Sequence, residues 1–319
     1  MKKRFNILKK SYLWIMISLF LGAISLFLFL FNAKYSEEFT GGVNISFVTT
    51  QNEETIQTNL ENFLTNQGYT NFQTSINTQG EETQIKVNTS LESDDQVAQL
   101  SSEIQSFLLS NAVVSSTSDI IGQAIIGPSV GSYMKTSAFQ ALIIGILLMV
   151  VYMLIAFKEI RKFISPSILA TVVVTVIILN VLVTVGAYGA WMMFNPTIQV
   201  DTVFIIAILT VIAYGINDVI IIFDRIRENM MKLTKEKTIV YGKVIEESLR
   251  QTMRRSIGTS LSTLLVLIAM LIFGTGVLQN FAFTVAIGVI VTTFSSIFLG
   301  GSLAYLLMGK YNKEKEKIS

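Results

Sequence analysis

Apolar residues run through five long stretches of the chain, and polar residues collect between them. Residues 12–31, 136–157 and 167–188 carry no charge, 202–223 carries only Asp218, and 256–309 carries none. A membrane-crossing helix needs about 20 apolar residues, so the last stretch holds two, with Gly274, Gly276, Gln279 and Asn280 as the turn. The pattern predicts a polytopic α-helical membrane protein with six transmembrane helices, the last two over residues 256–273 and 281–307. The first apolar run follows a basic N-terminus as a secretory signal does, but it is about twice as long as a usual signal core and lacks a small-x-small cleavage site. It is expected to be retained.

Between the first two helices the period changes. Residues 43–50 alternate apolar and polar as a strand does, and 53–66 places Ile56, Leu60, Phe63 and Leu64 at helical spacing before Gly68. Residues 69–76 and 83–88 read as two strands joined across Gln79 and Gly80, 94–109 as a second helix, and 113–118 as a fourth strand. The order β-α-β-β-α-β predicts an α+β, ferredoxin-like domain over residues 34–134.

Charge sets the orientation. Lys2, Lys3, Arg4, Lys9 and Lys10 precede the first helix, and Lys158, Arg161 and Lys162 follow the second. Residues 224–255 hold nine basic against five acidic residues, and Lys310, Lys313, Lys315 and Lys317 lie in the tail. Residues 33–134 hold twelve acids and two bases, Lys34 and Lys86. By the positive-inside rule, segments 1–33, 224–255 and 310–319 begin or lie in the cytoplasm, and both termini are cytoplasmic. The α+β domain and the short connections near Pro196 and Gly276 are extracytoplasmic. Part of 224–255 is expected to form an amphipathic helix on the inner membrane surface. The hydrophobic share of 51% and mean hydropathy of +0.57 agree with a membrane protein.

No cysteine or histidine occurs. Disulfides, thiol chemistry and metal sites built on those ligands are excluded, no histidine is present to activate a nucleophile, and any proton carrier must be a carboxylate. No cofactor, metal, nucleic acid or enzymatic activity is expected.

The carboxylate in question is Asp218. Residues 213–228 read AYGINDVIIIFDRIRE, with Asn217 and Asp218 shortly before the charged exit at Asp224. At a rise of ~1.5 Å per residue, Asp218 lies ~9 Å inside the apolar boundary, where a carboxylate costs ~2.5–3.5 kcal/mol. Its stem is too short to snorkel that far. It either locks helices together or lines an ion or proton path, and the second role is favoured. Arg255, at the mouth of the fifth helix, is the candidate partner: counted from the outer boundaries, the two depths agree within ~3 Å. Arg255 equally suits an ordinary positive-inside position. Polar residues recur at helical spacing around both: Thr210, Tyr214 and Arg225 on the fourth helix, Thr259 and Ser262 on the fifth, and Thr284, Gly288, Thr292, Ser295 and Ser296 on the sixth.

The fourth-helix segment closely resembles a signature of the SecF family, membrane subunits of the bacterial Sec protein-export machinery. Glu38-Phe39-Thr40-Gly41-Gly42 resembles that family's Asp-Phe-Thr-Gly-Gly, and Ile126, Gly127, Pro128 and Gly131 resemble its Val-Gly-Pro-x-x-Gly element. Residues 255–263 resemble Arg-Thr-x-Asn-Thr-Ser-x-Thr-Thr, and Ser295-Ser296 matches a Ser-Ser pair in the sixth helix. Departures are Glu38 for aspartate, Ala213 and Gly215 for the commoner glycine and serine, Val219 for threonine and Gly258 for asparagine; they bear on hydrogen bonding around the path.

The resemblance implies half of a resistance-nodulation-division unit in the bacterial cytoplasmic membrane, paired with SecD and associated with SecYEG, YidC and a translocating preprotein. It implies use of the proton motive force in late polypeptide export, with Asp218 as the proton carrier, Arg255 as its modulator, and Asn217, Tyr214 and Thr259 in support. Burial favours the neutral acid and a nearby guanidinium favours the carboxylate, so approach and retreat of Arg255 would switch the site. The alternatives are half of a proton-coupled lipid or drug exporter, or a passive assembly scaffold.

Overall fold

The structure, a computed structural model, describes residues 7–79, 81–89, 91, 93–158, 165–195, 197–232 and 241–308. Lys2, Lys3, Arg4, Gly80, Arg161, Lys162, Pro196, residues 233–240 and the tail from 309 lie outside the described residues. Among those described, six helices are long and apolar enough to cross a membrane: Leu8–Asn32, Pro128–Ala156, Pro166–Phe194, Thr202–Lys232, Tyr241–Phe273 and Gly276–Met308. The chain divides into two compact units: residues 1–31, 142–190 and 206–319, and residues 32–141 and 191–205.

In the helical unit, α1 (Ser11–Asn32) meets α6 (Pro166–Phe194) through small residues. A Cβ on Gly186 would stand 2.3 Å from the Ser25 Cα, and one on Gly189 2.8 Å from the Phe29 Cα. Such faces let two backbones approach where lipid offers no hydrophobic drive for association. α7 (Thr202–Lys232), α8 (Tyr241–Phe273) and α9 (Gly276–Phe294) share a core of Ala207, Leu267, Ala282, Val285, Ala286 and Val289. Gly288 of α9 admits Val211 of α7, whose Cγ2 lies 2.1 Å from where a Cβ would be. α8 and α9 join through a short turn in which Gly276 takes φ +52°.

No separate surface helix forms from 224–255 among the described residues: α7 continues unbroken to Lys232, and α8 is already helical at Tyr241. Val244, Ile245 and Leu249, apolar residues of that segment, are buried in protein, with Leu249 against Gly301 and Gly242 against the Tyr305 ring.

The second unit carries a four-stranded sheet of order β2-β3-β1-β4 with every neighbour antiparallel. Its elements are α2 (Glu37–Thr40), β1 (Gly42–Val48), α3 (Glu53–Asn66), β2 (Phe72–Gln79), β3 (Glu82–Thr89), α4 (Asp94–Ser110) and β4 (Ile120–Ile126). Val43, Ile45 and Phe47 alternate onto the core face of β1, where they meet Ile56, Leu60 and Leu64 of α3 and Leu100, Ile104 and Leu108 of α4. Asn52 caps α3 by accepting from the Glu54 amide at 3.0 Å, and Ser93 with Gln96 forms a capping box on α4.

The fourth strand is not at 113–118. The chain leaves α4 through Ala112 at φ +53°, Val113 and Val114 drop into the core, and the Asp119 carboxylate takes the Ser115 and Ser116 amides at 2.9 and 2.8 Å. Those bonds close a turn, and the strand starts afterwards, at Ile120.

The glycine pair after α2 has a steric cause. Gly41 takes φ +84°, and a Cβ on Gly42 would stand 2.3 Å from the Val87 oxygen. Gly131 of α5 (Pro128–Ala156) lies against the Phe39 carbonyl, so the two glycine motifs pack on one another. Residues 191–205 belong to this unit as well: Val200 pairs with Tyr35 in a parallel bridge, Val200 N to Lys34 O at 2.7 Å and Ser36 N to Val200 O at 2.9 Å.

Candidate functional site

α7 is helical through the whole apolar run, so residues four apart fall on one face. That face turns Val211, Gly215, Asp218 and Ile222 into the bundle and leaves Asn217 exposed. Asp218 is 3% exposed, and among the described residues of the helical unit it is the one buried charged side chain. A buried carboxylate requires donors. Ser296 Oγ donates to Asp218 Oδ2.

Ser296 sits in an unusual stretch of backbone. After Phe294, α9 passes into a π-helical turn, Ser295–Gly300, before helix resumes to Met308. Such turns are rare and concentrate at functional sites. The turn points two adjacent serines at different helices: Ser296 at Asp218 of α7, and Ser295 at Asn180 of α6, whose Oδ1 accepts from Ser295 Oγ. Asn180 is 2% exposed and also donates to Thr292 Oγ1 at 3.3 Å, while its carbonyl accepts from Thr184. Gly215, one turn before the aspartate, leaves room for this: a Cβ there would stand 3.4 Å from both Asn180 Nδ2 and Thr292 Cγ2.

A second hydroxyl chain lies alongside. Tyr214 OH donates to Ser260 Oγ at 3.0 Å, and Ser260 Oγ lies 2.6 Å from Thr293 Oγ1. This chain makes α7, α8 and α9 neighbours, and Asn229–Ser248 and Arg225–Gln251 extend the α7–α8 seam.

The structure does not bring Arg255 to Asp218. Arg255 is exposed, and no ion pair joins it to the aspartate. The reason is rotational: α8 turns Ser256 and Ser260 inward, and one residue is ~100° of helix, so Arg255 and Thr259 face outward. Thr259 Oγ1 bonds only its own turn, to the Arg255 and Ser256 carbonyls. Of the five sequence-derived site residues, Asp218 and Tyr214 enter the polar network, whereas Arg255, Asn217 and Thr259 lie on outward faces.

Asn180, Ser260 and Thr293 were missed by the sequence reading, and Ser296 was noted for polarity without a role. Asn180 had a legible signal, being the lone amide in α6. Its partner on another helix had none. The arrangement holds a buried Asp218 side chain beside a cluster of hydroxyl and amide groups, and among the described residues Ser296 is the donor that meets it; no group of three metal-ligating side chains occurs among the described residues.

A family model described as protein export membrane protein SecD/SecF, C-terminal, matches residues 109–310. The protein translocase subunit SecF of Sebaldella termitidis is 37% identical over 211 residues, 63% of this chain and 64% of that protein. That of Endomicrobium trichonymphae is 32% identical over 298 residues, covering 92% of this chain and 88% of the relative. The crystal structure of SecDF, a translocon-associated membrane protein from Thermus thermophilus, superposes with a TM-score of 0.74 at 26% identity. That match covers 97% of this chain and 39% of the SecDF chain.

Proposed function

The chain belongs to the SecF family of protein-export membrane proteins, and from that membership we propose that it is a proton-driven accessory subunit of the Sec translocase. It is a multi-pass protein of the bacterial membrane, and the proposed topology has both termini cytoplasmic and the β-sheet unit, ferredoxin-like in strand order, outside. That orientation rests on the lysine and arginine bias of the connecting segments. The chain is similar to about two fifths of a SecDF polypeptide, which supports SecD as the partner half. SecYEG, YidC and the preprotein follow as partners from the family alone, and no enzymatic role is proposed.

The observation that carries this reading is Asp218, buried in α7 with Ser296 Oγ on Oδ2. A proton gradient supplies ~2.3 kcal/mol per charge per 100 mV, comparable to the cost of keeping one carboxylate in oil. Arg255 would act in another state of the cycle or through the outward face it occupies.

The test is export into inverted membrane vesicles with Asp218 and with Asp218→Asn, at matched assembly with SecD. Loss of the gradient-dependent part of export, with assembly intact, is the expected result. Full export in the variant would make the chain a passive scaffold, and dependence on a sodium gradient instead would replace the coupling ion.

A further inference from the structure

We propose that Ser296 is a two-position hydrogen-bond switch that lets Asp218 exist in either protonation state without leaving a buried polar atom unpaired; this rests on the proton-carrying reading of Asp218. A serine hydroxyl has one hydrogen and two acceptor lone pairs. Ser296 Oγ has two acceptors within reach, Asp218 Oδ2 and, at 3.2 Å, the Thr293 main-chain oxygen. One hydrogen serves one of them at a time.

When Asp218 is a carboxylate, the hydroxyl hydrogen goes to Oδ2, as a charge-assisted bond. When a proton from water binds Oδ2, the new acid O–H donates to Ser296 Oγ, and the serine hydrogen rotates to Thr293 O. The one covalent bond formed is Oδ2–H, the serine O–H stays intact, and the charge of the site changes by one. No side chain is displaced. Leaving either state unpaired would cost ~1–3 kcal/mol, and more for the charged one.

The backbone prepares both positions. Ser295 repeats the arrangement one residue earlier, with its Oγ within reach of Asn180 Oδ1 and, at 3.2 Å, of Thr292 O. Asn180 thereby acts from α6 as a positioning residue for the π-helical turn that presents Ser296. Besides Asp218, the hydrogen-bonding side chains that the described structure brings near this turn are Asn180 from α6, Tyr214 from α7 and Ser260 from α8, with Thr293 of α9 just before it. Arg255 of α8 is exposed.

Infrared difference spectra of the purified full-length chain in lipid vesicles, taken between neutral and acidic buffer, read the C=O stretch of protonated Asp218. Its absence in Asp218→Asn assigns the band. In Ser296→Ala the acid loses its acceptor and the band moves to higher wavenumber, whereas Ser296→Thr, which keeps the hydroxyl, leaves it in place. Gradient-driven export by Ser296→Ala falls roughly tenfold. A band unmoved in Ser296→Ala, or no Asp218 acid band in the parent protein at any pH, overturns the switch. Export surviving Asp218→Asn would defeat the export reading instead, and the position of the band would still decide the role of Ser296.

Discussion

Two aspartates at opposite settings show what surroundings do to one side chain. Asp218 in mid-helix meets a hydroxyl from another helix, while Asp201 precedes α7 and accepts from the Phe204 amide at 2.7 Å. Burial holds the Asp201 carboxyl above its ordinary range, with the Glu38 charge adding to this and the Phe204 amide opposing it. A carboxyl raised in the folded state binds more protons there than when unfolded, so its contribution to stability is present below the ordinary carboxylate range and fades as pH rises through the folded value. Thermal melts across that window should show stability rising on acidification, and Asp201→Asn should flatten this part of the profile while keeping the cap. An unchanged profile in the variant would assign the pH dependence elsewhere. The aspartates themselves were plain in the sequence; which donor each would meet was not, because the donors come from distant positions.

Helices declare themselves through local chemistry, and their contacts do not. The sequence-derived bounds of α3 coincide with the observed Glu53–Asn66 because Asn52 and Gly68 mark both ends. β4 was displaced because Val113 and Val114 have strand-like composition but serve as core plugs after an Asp119-closed turn. Glycines look alike in sequence and differ in place. Gly186→Ala should cost about 1–3 kcal/mol, since its Cβ would meet the Ser25 backbone, whereas Gly258→Ala meets nothing within 4 Å. The latter should stabilise α8 by up to ~1 kcal/mol from helix propensity. Denaturant midpoints for the two variants in detergent should move in opposite directions; a common direction would contradict the assigned α1–α6 seam.

At the scale of the molecule, sequence-distant segments close each unit. In the helical unit, Glu246 of α8 accepts the Ile7 and Leu8 amides at 3.2 and 3.1 Å and also holds Arg250. Trp14 reports on the same place, donating from Nε1 to the Ile7 carbonyl at 3.2 Å and packing on Phe298. Glu246→Ala leaves two amides without their acceptor, at a cost of about 1–3 kcal/mol, and should red-shift Trp14 emission in a Trp191→Phe background. Unaltered emission would mean that the first helix is held by packing alone. In the other unit, Glu38 Oε2 takes the Thr202 amide at 2.6 Å, which ties residues 191–205 to the sheet. Glu38→Ala should therefore lower the stability of that unit by about 0.5–2 kcal/mol, the worth of a helix cap, measurable by hydrogen exchange at Thr202.

Hydrophobic run length, cap residues and turn formers act within a few neighbours, and through them the amino-acid order alone determined six apolar helices, two capped helices of the sheet unit and the isolated acid at 218. Rotation of each helix about its axis was decided only by packing. That rotation turned Ser296 and Asn180 inward, left Arg255 and Thr259 outside, and buried the apolar face of residues 244–249 in protein. Facing is a property of pairs of helices, settled by which glycines admit a neighbour and which hydroxyls find a buried acceptor, and no single segment carries that information.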